Sequence, residues 1–171
     1  MSSGAAEALR AFRFFCDCEA SGLDDASYPI EIAVVSDDFE YHTLIKPHES
    51  WTYWDTNAEE NFHRISRAKL EAEGKPIDVV CNELNQRLEG KTIWADSRFD
   101  RIWSDVLFET AGIPKLFKVE NIQRALPELI WKKLLMEIPD ENNAAHRALD
   151  DANELKNAWK RVIAFVERAM S

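Results

Sequence analysis

Phe14-Phe15-Cys16-Asp17-Cys18-Glu19-Ala20-Ser21-Gly22-Leu23 begins as an apolar run and then places two carboxylates one residue apart. In an extended strand, side chains alternate between the two faces. Asp17 and Glu19 therefore share one face, while Phe14, Cys16 and Cys18 share the other. Carboxylates in an otherwise buried strand are costly unless a cation or hydrogen bonds compensate them. A divalent metal held at the end of a central strand explains the pair most simply. Ser21-Gly22 then lets the chain turn away.

The pattern around this strand predicts the fold. Pro29 to Val35 reads as a second strand, apolar on both faces, and Phe39 to Ile45 as a third. The short polar turns between them make an antiparallel meander. Helices are expected over Ala58–His63, Ser66–Ala72 and Ile77–Leu88, with Ser66 as an N-cap. Thr92–Ala95 reads as a fourth strand, and Ser97 caps a helix to Ala111 that Gly112 and Pro114 stop. A fifth strand over Leu116–Glu120, a helix over Ile122–Met136, a polar loop over Asp140–Asn143 and a long helix over Ala145–Met170 complete the chain. Antiparallel strands followed by alternating helix and strand predict an α/β protein with a mixed five-stranded sheet flanked by helices.

The bulk numbers limit what such a protein does. The 171 residues are 46% apolar and 30% charged, enough for one domain with a core. No apolar run approaches the roughly 20 residues of a membrane helix. Met1 to Arg13 lacks the apolar centre of a secretory signal. The three cysteines, Cys16, Cys18 and Cys81, then suggest reduced thiols and a cytoplasmic setting. A net charge of −10 argues against a broad basic surface for duplex nucleic acid. It leaves room for a short or single-stranded substrate gripped at one end, because acids that hold metals are neutralised by them.

Further acids line up with the first two. On the last helix, Ala148, Ala152, Leu155, Trp159, Val162 and Val166 form the apolar stripe. Asp151 lies roughly 60° from its centre, whereas Asp150 lies nearly opposite. His146 falls at or just before the helix start. Asp100, three residues after Ser97, reads either as a capping acid or as a metal ligand, and Asp96 competes for the second role. Trp51, Tyr53 and Trp54 serve either as a stacking surface for bases or as cover for the sheet edge. Lys132, Lys133, Arg147, Lys156, Lys160 and Arg161 form either a phosphate rim or an ordinary solvated face.

Taken together, Asp17-Cys18-Glu19-Ala20-Ser21-Gly22-Leu23, Ser97-Arg98-Phe99-Asp100 and His146-Arg147-Ala148-Leu149-Asp150-Asp151-Ala152 resemble the three motifs of the DEDDh group of 3′–5′ exonucleases. That group lies in the ribonuclease-H-like superfamily and includes proofreading exonuclease domains and oligoribonuclease. The resemblance runs from about Arg13 to Trp159. It implies a single exonuclease-like domain over 13–171, after an N-terminal extension or short helix over 1–12. It selects Asp100 over Asp96 and Asp151 over Asp150. Arg147 stands where a sister group has tyrosine, so the His146 form applies.

The resemblance implies two Mg²⁺ or Mn²⁺ ions held by Asp17, Glu19, Asp100 and Asp151, with Asp17 touching both and His146 as general base. It implies contacts to the 3′ end of single-stranded RNA or DNA from Ala20, Ser21, Gly22, Leu23 and Phe99, and from His63 in Phe62-His63-Arg64-Ile65. Trp54 is a further stacking candidate. A homodimer is conceivable in such a family. Two departures stand out: Ala95-Asp96 replaces the usual His-Asn, and Arg64 replaces a glycine. The competing expectation is a catalytically silent nucleic-acid-binding or accessory subunit that keeps the exonuclease fold.

Overall fold

A computed structural model describes residues 9–138 and 146–169. The expected N-terminal extension lies largely outside the described residues, as do the loop at 140–143 and the expected start of the last helix at Ala145. Five strands form one sheet: β1 (Phe14–Ala20), β2 (Pro29–Val35), β3 (Glu40–Leu44), β4 (Thr92–Ala95) and β5 (Lys118–Asn121). Their order is β3-β2-β1-β4-β5, with the first three strands antiparallel and β4 and β5 parallel to β1. The mixed sheet expected from the sequence is thus present, with β1 at its centre.

The helices are α1 (Thr56–Ala58, continued by a π-helical turn over Glu59–His63), α2 (Arg67–Glu73), α3 (Ile77–Leu88), α4 (Arg98–Ala111), α5 (Ile122–Ala125), α6 (Glu128–Leu135) and α7 (Ala148–Arg168). None of the described helices is long and apolar enough to cross a membrane. Ser66 and Ser97 cap α2 and α4 by accepting the amides of Lys69 and Phe99. The single helix expected over Ile122–Met136 is two. Pro127 has no amide to donate and disfavours helical backbone at Leu126, whose ψ is 143°. The Ala58–His63 helix is a short α-turn running into a π-turn. It ends at Arg64 in the left-handed region (φ 54°).

The alternation of β1 sorts the core into two layers. Cys16 and Cys18 face a layer with Ile30, Ile32 and Val34, closed by α3 and α4 through Val80, Leu84 and Leu107. Phe15, Ala33 and Val35 face the other layer, closed by the α7 stripe of Ala148, Ala152, Leu155, Trp159, Val162 and Val166. The three cysteines are buried and unpaired. Trp51 is buried and stacks on Tyr28 with ring centroids 4.9 Å apart, so it covers the sheet.

β2 is wholly buried, but it is not wholly apolar. Glu31 has no exposed surface and lies directly opposite Glu19 in the strand register. The sequence reading of β2 as apolar on both faces is corrected at this residue.

Candidate active site

The β1–β4 pairing sets where the site opens. The strands pair only at Phe14–Ile93 and Phe15–Trp94. Beyond this no strand among the described residues neighbours β1 on that side, and the first turn of α4 takes over. The Cys18 amide donates to Asp100 Oδ1 at 3.0 Å. Asp100 is therefore more than a capping acid: Ser97 performs the cap, and Asp100, 2% exposed, bonds to β1. Its Oδ2 is buried and has no partner among the described residues.

Two clusters of possible ligand atoms result. Asp17, Asp96 and Asp100 offer oxygens within 4.8 Å of one another, and so do Glu19, His146 and Asp151 with oxygen and nitrogen atoms. His146 Nδ1 lies 3.6 Å from Asp151 Oδ2. His146 precedes α7, and its amide donates to the carbonyl of Phe62 at 3.1 Å, tying it to the π-turn. Asp151 stands at the edge of the buried stripe and Asp150 is exposed, as the helical geometry requires.

Crowding shows in the electrostatics. Burial, then the charges of Asp100, Glu19 and Asp151, hold the Asp17 carboxyl well above its usual range. Burial, then Asp151 and Glu31, push Glu19 up to about 8. Burial and Asp96 push Asp100 up to about 8, against the pull of the Cys18 amide. Burial also raises Asp96. Like charges brought together out of water resist ionisation. Carboxylate oxygens in this number suit a hard divalent cation, and a buried Asp100 oxygen lacking a donor fits the same role.

A cleft of about 380 Å³ opens over these groups. Asp17, Glu19, Asp100, Asp151 and His146 all line it. Of the expected substrate contacts, Ala20, Gly22, Leu23, His63 and Phe99 line it as well. Leu23 stands 76% exposed at the mouth, and Phe99 stacks on Trp103 at 6.0 Å. Gly22 is a close approach: a Cβ there would come within 2.9 Å of Asp55 Cβ and of the Tyr53 ring.

Ser21 and Trp54 are not among the lining residues. Ser21 is fully buried and clips the turn, its Oγ accepting the Tyr28 amide at 3.2 Å. The Trp54 indole donates to Glu59 at 2.7 Å and packs edge-on to His63. His63 is buried. It is 2% exposed, its Nδ1 accepts the Ile65 amide, and burial lowers its pKa. Its Nε2, which then carries the proton, has no partner among the described residues.

Glu31 is the supporting residue that sequence reasoning missed. Arg147 Nε donates to both of its oxygens at 3.2 and 3.0 Å, and a second guanidinium nitrogen adds another contact. His42 lies 2.7 Å away, and the Ala148 amide donates to Oε2 at 3.0 Å. A carboxylate from β2 thus caps α7, whose own N-cap residue Arg147 offers no side-chain cap. Burial alone would raise this carboxyl, but the His42, Arg147 and Ala148 hydrogen bonds outweigh it and hold it down to about 2. The available signal was a lone acid inside an apolar strand, the same signal that marked Asp17.

The six cations considered as a phosphate rim are engaged within the fold. Lys132 pairs with Glu128, Lys160 with Asp37, and Lys133 and Arg161 with Glu137. Lys156 donates to the Ser36 carbonyl, and Arg147 holds Glu31.

A five-stranded sheet of this order, with acids at the end of its central strand, is the architecture of ribonuclease-H-like exonucleases. The chain belongs to the exonuclease family, whose model matches residues 14–158. Among solved structures, one of a 3′-exonuclease recognising the 3′ end of a histone mRNA stem-loop matches with TM-score 0.62 and 15% identity, over 89% of this chain and 64% of that one. Escherichia coli exonuclease I in complex with a dT13 oligonucleotide matches with TM-score 0.66 and 13% identity, over 92% and 42%. The zinc-bound complex of that enzyme with single-stranded DNA gives 0.62 and 15%, over 91% and 42%. At such identities the likeness is one of fold, and the chain spans less than two thirds of each of these proteins. No curated protein matches the sequence significantly.

Proposed function

We propose that this chain is a 3′–5′ exonuclease that hydrolyses the terminal phosphodiester of single-stranded or short RNA or DNA and releases nucleoside 5′-monophosphates. The observation that carries the reading is the convergence of Asp17, Glu19, Asp100, Asp151 and His146 on one cleft, with a buried Asp100 oxygen that has no partner among the described residues. Family membership supports it.

Asp17 and Asp100 on one side, and Glu19 and Asp151 on the other, would hold two Mg²⁺ or Mn²⁺ ions. Such ions, when bound, stabilise charge on the scissile phosphate and acidify the attacking water. His146 accepts the proton of that water. Its backbone bond to Phe62 holds it at the mouth of the cleft, where a general base is needed. Phe99 and Trp103 offer an aromatic surface to the terminal base. His63 lines the wall of the same cleft.

The test is digestion of 5′-labelled RNA and DNA oligonucleotides of matched sequence with Mg²⁺ or Mn²⁺. The expected product is a ladder that shortens from the 3′ end with release of 5′-monophosphates. Absence of cleavage with either ion, or full cleavage in excess EDTA, overturns the reading.

A further inference from the structure

Sequence resemblance chose Asp100 and set Asp96 aside, yet the fold keeps both. β4 ends at Ala95 and α4 begins at Arg98, so Asp96 and Asp100 flank the Ser97 cap from opposite sides. The Asn121 side chain donates to the Asp96 carbonyl at 3.1 Å, which fixes the backbone there. The Asp96 carboxylate comes within 4.8 Å of those of Asp17 and Asp100. Three acids gathered this closely either hold protons or repel one another, and a divalent cation among them relieves both. A second observation points the same way: Asp100, 98% buried, has one carboxylate oxygen, Oδ2, without a partner among the described residues.

We propose that Asp96 is a further carboxylate ligand, so that Asp17, Asp96 and Asp100 form a three-acid pocket that binds a divalent cation before any substrate arrives. The proposal rests on the metal-dependent reading of the cleft above. Its consequence follows from charge. Four carboxylates balance two divalent ions, and a fifth leaves the loaded site net negative. The chain would then hold cation tightly by itself and lean less on the substrate phosphate to complete the site. Where the resembling motif has a neutral His-Asn, Ala95-Asp96 removes a polar side chain and adds a negative charge beside Asp17 and Asp100.

The experiment is calorimetric titration of Mn²⁺ into metal-stripped, substrate-free full-length protein. Wild type is compared with Asp96→Asn, Asp100→Asn and Asp150→Asn. Asp150 is an exposed acid on the same helix as Asp151, so its variant reports the effect of merely losing one negative charge. The expected result is at least a tenfold weaker affinity in Asp96→Asn, against less than threefold in Asp150→Asn. Thermal unfolding adds a readout that a capping role would not give. In EDTA, Asp96→Asn should melt at or above wild type because a repulsion is gone, and it should gain less than wild type on adding Mn²⁺.

An Asp96→Asn affinity equal to that of Asp150→Asn, with Asp100→Asn weakened, overturns the proposal and leaves the metal-dependent reading standing. Unchanged affinity in Asp100→Asn as well overturns both.

Discussion

Glu19 and Glu31 face each other across the β1–β2 register, and the fold treats them in opposite ways. Glu31 is enclosed by His42, Arg147 and the Ala148 amide and is held down to about 2. Glu19 has acids for neighbours and is pushed up to about 8. Both are buried or nearly so, on one face of one sheet. The difference is whether the protein supplies the compensating charge. Where it does, the acid anchors structure, because Glu31 fixes the start of α7 and with it His146 and Asp151. Where it does not, the acid waits for something from outside. A fold that leaves Asp17, Glu19, Asp96 and Asp100 without an ion-pair partner among the described residues, beside a satisfied Glu31, gives up stability in exchange for a binding site.

The comparison breaks most visibly if activity does not depend on the uncompensated set. Asp17→Asn is expected to cost at least about 10²–10³-fold in the rate of mononucleotide release, the range for removing one charge-stabilising group from an active site. In EDTA the same variant should unfold no earlier than wild type, since it relieves repulsion among buried acids. If Asp17→Asn instead loses activity only because it loses stability, Asp17 is a structural acid like Glu31.

Glu31→Gln should do the reverse. It leaves the Arg147 guanidinium without its counter-charge and weakens the cap on α7. Breaking a buried pair costs about 3–5 kcal/mol. The lower end, about 3 kcal/mol, is expected because a third of the Arg147 side chain reaches water. Urea unfolding measures it. The matching Glu19→Gln variant should be neutral or more stable in EDTA.

The two acids should also give opposite slopes of stability against pH. Glu31 titrates lower in the folded state than its ordinary 4.5. Its contribution is therefore present above about 4.5 and is lost as pH falls toward about 2. Glu19 titrates higher when folded, so the folded state binds more protons than the unfolded between 4.5 and about 8. Metal-free stability should accordingly fall as pH rises through that window, and Asp100 adds to the same slope. Saturating Mn²⁺ should flatten it, with protons released on binding. Chemical unfolding across pH 2–9, with and without Mn²⁺, reads both effects. A flat metal-free profile from 4.5 to 8 would contradict the reading of Glu19 and Asp100 as acids held protonated for want of a counter-charge.

Much of this contrast was legible in the sequence, and the rest depended on contacts that sequence does not carry. Period-two alternation put Asp17 and Glu19 on one face, and period-3.6 spacing put Asp151 at the edge of the α7 stripe while turning Asp150 outward. Ser66 and Ser97 announced their helices. Glu31 stayed hidden because its meaning lies in Arg147, which is 116 residues away in the chain. Asp96 and Asp100 read as rivals because only the divergence of β4 from β1 shows that both converge on Asp17. Ser21 and Trp54 look like surface contacts in a polar turn and an aromatic loop, and each instead finds an internal hydrogen bond. Pro127 did carry a local signal, its missing amide, which the apolar spacing around it outweighed.

Backbone strain is the remaining source of instability near the site, and Arg64 separates it from charge. This residue ends the π-turn that holds His146 through Phe62, and it does so at φ 54° and ψ 30°, where a Cβ is unfavourable. Left-handed backbone costs an L-residue roughly 1–2 kcal/mol, and glycine avoids that cost. Part of the gain is offset, because glycine also frees the unfolded chain. Arg64→Gly should therefore stabilise the protein by at most about 1 kcal/mol in urea unfolding. It changes no buried carboxylate, so the fall in metal-free stability between pH 4.5 and 8 should keep its slope while the whole curve shifts upward. A changed slope would mean that the turn, rather than the missing counter-charge, sets how Glu19 and Asp100 ionise.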